Sequence, residues 1–338
     1  MKKVLITGVA GFMGSHLADE FINRGYEVSG IDNLIGGYED NIPDRVNFHY
    51  ADLGDFDAIK EHFKDIDLVV HSACTAYEGL SVFSPALVTR NTFHITASVV
   101  SASIRSGVKK IVYMSSMSRY GTQDKLPFTE NMNPQPQDPY GIAKLASELL
   151  IENMCKTHGM DYVIVVPHNI IGPRQKYDDP FRNVASIMVN RILQGLPPII
   201  YGDGLQKRCF SFWQDVANPL IQVCESDILN GEVVNLGPDD EYITINELSE
   251  RISFLTGSKL KPTFFPERPQ EVKFANCSAD KARKYLNYKT NVKLDEGLKS
   301  LIDWIAYKNP KPFNYHLPLE IVTDLTPKTW THNLMNKP

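Results

Sequence analysis

The chain has 338 residues, 43% of them hydrophobic and 22% charged, a balance that fits a globular protein of about two domains. Its 35 basic and 40 acidic side chains leave a formal net charge of −5 with no basic block, which argues against a nucleic-acid or polybasic membrane surface. A phosphorylated ligand stays open, because it needs only a few local cations.

The N-terminus starts like a signal peptide, but glycines cut the apolar run Val4-Leu5-Ile6 far short of a signal core, so a first strand is expected over 3–7. No later run approaches the ~20 apolar residues of a spanning helix. Gly8, Gly11 and Gly14 then recur at every third residue, ahead of a helical pattern over 15–24. Glycines at such a joint permit a tight turn and a close approach of backbone to a pyrophosphate. The first N–H groups of the helix, around Phe12 and Met13, then point at the phosphates. The spacing is G-x-x-G-x-x-G and not G-x-G-x-x-G, so by itself it fits a plain strand-to-helix turn equally well.

A second strand, 27–32, ends at Asp32, eighteen residues past Gly14. A carboxylate there accepts hydrogen bonds from a ribose diol and repels a 2′-phosphate. With Asn33 next and no arginine following directly, NAD is expected over NADP. A third strand, 46–49, leads to Asp52-Leu53, placed for the adenine edge. Further strands are expected over 68–72, 110–115 and 162–167, with helices over 93–106 and 140–158 between them. Strand–helix alternation of this kind specifies a Rossmann-type α/β fold, a doubly wound parallel sheet with helices on both faces.

After Pro167 the texture changes to a polar loop, a helix over 183–193 and an acidic helix over 246–255. A smaller, discontinuous α/β C-terminal substrate domain is expected. The division is 1–168 plus about 211–240 for the dinucleotide-binding domain, and 169–210 plus about 241–309 for the second. Residues 310–338, rich in proline and aromatics, read as an extended tail wrapping the surface. Cys74, Cys155, Cys209, Cys224 and Cys277 are scattered without a C-x-x-C pair. No metal site is expected, and reduced thiols in the cytoplasm are.

The chemical signal is Tyr140 and Lys144, four apart and so on one face of a helix, following the serine-rich strand end Tyr113–Gly121. A lysine cation near a phenol favours the phenolate and brings tyrosine toward use as a general base. Taken alone, such a pair is in most proteins an ordinary amphipathic feature; here it follows a dinucleotide turn and a serine-rich strand end at fitting distances.

With these motifs the chain resembles the extended short-chain dehydrogenases/reductases, in their nucleotide-sugar epimerase/dehydratase group. The resemblance runs from TGVAGFMG to about Trp304, through IDN, ADL, HSAC, YMSSMSRYG, YGIAK, PHNIIGPR, YGDGLQKRCF and PERPQEV. It implies bound NAD, with Ser116 and Tyr140 as catalytic hydroxyl and base and Lys144 on the nicotinamide ribose. His71, Ala73 and Cys74 would lie beside the cofactor, as would Pro167. Asn169, Arg208 and Arg268 would hold a nucleotide diphosphate, for which guanidinium forks are suited. The segment 75–84 would line the sugar pocket, with Glu78 and Ser81 as contacts. The resemblance also implies a homodimer through the two long helices, 93–106 and 140–158.

Several positions depart from the group's pattern. An asparagine usual at 92 stands one place early, at Asn91; the usual arginine at 166 is Val166, and the usual aspartate at 209 is Cys209. Between Ser116 and Tyr120 stand Met117 and Ser118, where 4,6-dehydratases carry Asp-Glu and UDP-glucuronate decarboxylases a glutamate at the second position. Methionine donates no proton and serine is a poor acid. The expected reaction is therefore 4-epimerisation of a UDP-hexose or UDP-N-acetylhexosamine through a 4-keto sugar, with Ala275 as a small gatekeeper for a bulky C2 substituent. A dehydratase, decarboxylase or 4-reductase of the same group is the nearest alternative, and a silent dinucleotide-binding sensor a more distant one.

Overall fold

The computed structural model describes residues 2–338. Seven strands form one parallel sheet: β1 (Lys3–Thr7), β2 (Glu27–Asp32), β3 (Asn47–Tyr50), β4 (Leu68–His71), β5 (Lys110–Met114), β6 (Asp161–Pro167) and β7 (Val233–Leu236). Their order across the sheet is β7-β6-β5-β4-β1-β2-β3, as the alternation of strand and helix patterns leads one to expect. The order reverses between β1 and β4, and the crevice at such a reversal is where open α/β sheets bind ligands.

Successive side chains of a strand point to opposite faces, and the two cores follow from that. Val4 and Ile6 of β1 pack with Leu17, Phe21, Val216 and Leu220 on one face. Leu5, between them, packs with Val99, Ile151 and Cys155 on the other. The covering helices are α1 (Phe12–Asn23) and Trp213–Glu225 on the first face, and Ile95–Arg105 and Pro139–His158 on the second. The last has both its ends specified locally. The Asp138 carboxylate accepts from the Gly141 N–H at 2.9 Å, Pro139 opens the first turn, and Gly159 ends the helix at φ 70°.

Two boundaries differ from the sequence reading for physical reasons. Helix α1 starts at Phe12 and not at residue 15, because Gly11 in extended conformation already serves as its cap. The helix expected from residue 93 begins at Ile95, behind a π-helical turn over Arg90–His94. That wider turn lets Asn91, one place early in sequence, line the central cavity while the helix behind it stays in register.

Helices Val184–Leu193, Ile245–Thr256 and Leu294–Lys308 enclose a second core around Met188, Leu248 and Leu298. A capping box between Thr244 and Glu247 starts the second of these. Residues 310–338 do more than wrap the surface. Phe313, Leu317, Trp330 and Met335 bury themselves against Tyr77, Leu80, Phe83 and Phe181. Backbone carbonyls of Leu334, Met335 and Lys337 accept from the buried Arg191 guanidinium, and the Glu320 carboxylate accepts the Ala86 and Leu87 N–H groups at 2.9 and 2.8 Å. The tail thus ties one lobe to the other. Among the described residues, no helix is long and apolar enough to cross a membrane.

Candidate active site

One cavity of about 430 Å³ opens along the C-terminal edge of the sheet, between the two lobes. The glycine turn forms one end. Gly8 has φ +74°, and a Cβ on it would meet the Ala73 backbone at 2.9 Å; a Cβ on Gly14 would stand 2.1 Å from the Gly8 carbonyl oxygen. No side chain caps helix α1, so the first N–H groups beyond Gly11, among them those of Phe12 and Met13, are left for an anion. Asp32 sits beside them, nearly buried, accepting from Ala10 N at 3.0 Å and Leu34 N at 2.7 Å. Burial raises its pKa against the pull of those N–H groups. Asn33, Asp52 and Leu53 line the same end, with Asp52 paired to Arg90 at 2.7 Å. An uncapped helix start, a cradle any Cβ would fill and a carboxylate with lone pairs to spare fit a dinucleotide.

Mid-cavity stand Ser116, Tyr140 and Lys144, with Ala73, Cys74 and Pro167 around them. The Ser116 hydroxyl accepts from Ser118 N at 3.2 Å and starts a short helical turn after β5. Burial pushes the Tyr140 phenol well above its ordinary pKa; Cys74, Glu78 and Tyr113 add to the rise, and the adjacent Ser116 hydroxyl opposes it. This corrects the expectation of a phenol lowered by Lys144. The lysine ammonium donates to the Met114 carbonyl at 2.6 Å and lies nearer the Tyr113 ring, at 4.7 Å, than the Tyr140 ring, at 5.8 Å. Its nearest partners are therefore the Met114 carbonyl and the Tyr113 ring.

Glu78 reaches the cavity from the opposite wall, and its carboxylate accepts a hydrogen bond from the Ser118 hydroxyl. Asp138 lies behind, its pKa raised to about 7 by burial and by the charge of Glu78. At the far end Asn169, Arg208 and Arg268 line the cavity. Asn169 Nδ2 donates to Cys209 O at 2.9 Å; Arg208 and Arg268 both turn to Glu271, at 3.9 and 3.2 Å.

Three expected residues stay out of the cavity. His71 is fully buried between the Thr7 and Thr96 hydroxyls, at 2.7 and 3.0 Å, and burial lowers its pKa to about 3, so its side chain belongs to the core beneath the cavity. Ser81 is buried too, its hydroxyl bonded to the Glu78 carbonyl at 2.6 Å, which removes it from the sugar contacts. Ala275 packs with Met117, Val166 and Cys277 and does not line the cavity. Among the described residues, no group of three or more His, Cys, Asp or Glu side chains is placed to hold a metal ion.

Residues 4–237 match the model of the NAD dependent epimerase/dehydratase family. The chain belongs to this family. A UDP-glucose 4-epimerase from Thermotoga maritima, solved with UDP-glucose, superposes with a TM-score of 0.85 at 30% identity, covering 90% of this chain and 99% of its own. A UDP-glucuronate 4-epimerase of Thermodesulfobacterium geofontis is 30% identical over 314 residues, 89% of this chain and 95% of the relative. A UDP-N-acetyl-alpha-D-glucosaminuronate decarboxylase of Bacillus cytotoxicus is 29% identical over 318 residues, 90% of this chain and 97% of the relative.

Within this NAD dependent epimerase/dehydratase, the cavity also contains residues that the sequence reading passed over. Glu271 belongs to the PERPQEV motif, and its one carboxylate is shared between both arginines. Asn183 starts the helix Val184–Leu193 at φ 46° with its side chain accepting from Ala185 N. Arg182, directly before it, lines the cavity beside the Tyr77 ring, 5.0 Å away. It lies outside every motif that carries the resemblance, and a cation in the otherwise polar loop was its only signal.

Proposed function

We propose that the chain is an NAD-dependent 4-epimerase of a UDP-hexose or UDP-N-acetylhexosamine, with Tyr140 as the acid–base group. What carries this reading is that the Ser116 and Tyr140 hydroxyls share one cavity with the glycine turn at one end and the arginines Arg208 and Arg268 at the other. A nucleotide sugar anchored by its diphosphate at the arginine end places its sugar at the two hydroxyls. Bound NAD supplies the hydride acceptor and donor, together with a positive charge that favours ionisation of a buried phenol. Tyr140 takes the proton of the sugar C4 hydroxyl, and Ser116 hydrogen-bonds the same oxygen. Lys144, neighbour to both rings, holds the cofactor ribose. Arg208, Arg268 and Asn169 keep the diphosphate fixed while the 4-keto sugar turns, and Tyr140 returns the proton.

The relatives named above act on UDP-sugars, which supports uridine as the base. Ala275 lies outside the cavity lining and does not choose between a plain hexose and an N-acetylhexosamine. A homodimer is supported by Ile142 and Leu149, seven residues apart on one helix face and 54% and 59% exposed. A reducing, cytoplasmic setting is supported by five cysteines that are all unpaired.

A second reading, a nucleotide-sugar decarboxylase or dehydratase, draws on Glu78, which brings a carboxylate to Ser118. Incubation with UDP-glucose, UDP-N-acetylglucosamine and UDP-glucuronate, followed by proton NMR, separates the two. The 4-epimer supports the first reading; a UDP-pentose left by decarboxylation or a 4-keto-6-deoxy sugar replaces it with the second, and no turnover of any of the three defeats both.

A further inference from the structure

The cavity holds three guanidinium groups, and they are not equally compensated. Arg208 donates to the carbonyls of Lys207, Val272 and Lys273 and faces Glu271, which also faces Arg268. Arg182 is different. Its Nη2 donates to the Gly36 carbonyl at 3.2 Å, and among the described residues no carboxylate stands within ion-pair distance of it. The nearby Asp179 is committed elsewhere: its Oδ2 accepts the Tyr77 hydroxyl at 2.5 Å and its Oδ1 accepts Phe181 N at 2.9 Å. A guanidinium has five N–H donors, so most of those on Arg182 remain to be used. A half-buried guanidinium without a close ion pair has donors free for an anion, and its fork matches a diphosphate.

The position of Arg182 decides which diphosphate. Gly36 belongs to the loop after Asp32, and that loop rests on the glycine turn: Tyr38 N and Asn41 Nδ2 both donate to Ala10 O, at 3.2 and 3.0 Å. A Cβ on Gly37 would stand 2.1 Å from the same oxygen, so glycine is what lets the loop close down there. The guanidinium therefore reaches from the second lobe to the loop that rests on the glycine turn. We propose that Arg182 binds the diphosphate of NAD from the second lobe, so that the cofactor is clamped between an arginine and the N–H groups of the glycine turn. The inference rests on the cofactor of the reading above and not on its sugar chemistry. It makes NAD a bridge between the lobes, retained more strongly than one lobe alone would hold it.

The test is calorimetric titration of the full-length, nucleotide-stripped protein with NAD, ADP, adenosine and UDP. Two variants serve, Arg182→Ala and Arg182→Met, the second keeping contact with the Tyr77 ring and so guarding against collapse of the site. Losing a charge-assisted contact should weaken NAD and ADP by about ten- to a hundredfold in both. Adenosine, which lacks the diphosphate, and UDP should stay within about twofold. Raising sodium chloride should weaken NAD less in the variants than in the parent. Unchanged NAD affinity overturns the proposal. So does a loss confined to UDP, which would assign Arg182 to the substrate's diphosphate, and so does an equal loss of adenosine, which would make the residue structural. A parent protein that binds no NAD would instead defeat the functional reading itself.

Discussion

The Ser118 hydroxyl donates to the Glu78 carboxylate, forty residues earlier in the chain, and Asp138 lies buried behind the pair. Asp138 has its pKa raised from 3.8 to about 7, first by burial and then by Glu78. An acid whose folded pKa lies above its unfolded value contributes stability that is complete below pH 3.8 and lost as the pH rises through about 7. Glu78→Gln keeps an acceptor for Ser118 and removes the charge. The fall in melting temperature between pH 5 and pH 8 should therefore shrink by about 2 °C or more. A variant with the parent's pH response would contradict the coupling.

Tyr140→Phe removes one oxygen from a site where the ring itself is buried and packed. Turnover should fall by about 10²- to 10⁴-fold, the range of a lost acid–base group, while UDP and NAD affinities hold. Burial raises the phenol's pKa, and the positive charge of bound NAD opposes the rise. The parent's kcat/KM should accordingly climb with pH on the alkaline side of neutrality. A flat profile there, or a Phe variant with near-parent turnover, would remove Tyr140 as the base.

What could be read from the sequence was local. The glycine turn, Asp32 at the end of β2, and Tyr140 with Lys144 one helical turn apart are all spacings, and spacing survives folding. What could not be read depends on which distant side chains meet. His71 is withdrawn by Thr7 and Thr96, sixty-four and twenty-five residues away, and Arg182 acquires its meaning only when Gly36, 146 residues earlier, is folded against it. Lys144 has the expected spacing from Tyr140, yet Met114 and Tyr113 claim its charge. The tail's aromatics suit a surface strap or a core equally until Phe181 and Phe83 are seen to receive Trp330.

Trp330 links that tail to the sugar end of the cavity. Its indole meets Phe83 and Phe181 edge to face, and its Nε1 donates to Pro180 O at 3.2 Å. A Cβ on Gly79 would lie 3.4 Å from the indole and 3.2 Å from Arg268, so the tail supports the wall on which that arginine sits. Trp330→Ala should cost about 3–5 kcal/mol of stability by denaturant titration. In the surviving folded fraction, KM for the nucleotide sugar should rise while NAD affinity, set in the other half of the cavity, changes little. Equal losses of both ligands would mean that the tail merely holds the protein together.

Arg119 and Glu148 form a buried ion pair behind Ser116, 3.0 Å apart, with both side chains less than 10% exposed. The Ser115 hydroxyl also donates to Glu148, whereas Arg119 Nε and Nη1 have no partner. A pair this dry gains little over apolar packing, but breaking it strands one charge. Arg119→Leu should therefore cost about 3–5 kcal/mol, and Arg119→Leu with Glu148→Leu should cost less than that single change, even though Ser115 loses its acceptor. Burial already raises the Glu148 pKa, and the arginine is what opposes the rise. Without it the carboxyl binds a proton in the folded state that the unfolded chain releases as the pH climbs. The Arg119→Leu variant should then melt closer to the parent at pH 5 than at pH 8, and the double variant should show no such divergence. Parallel melting curves for all three proteins across that range would mean that the pair carries no charge worth burying.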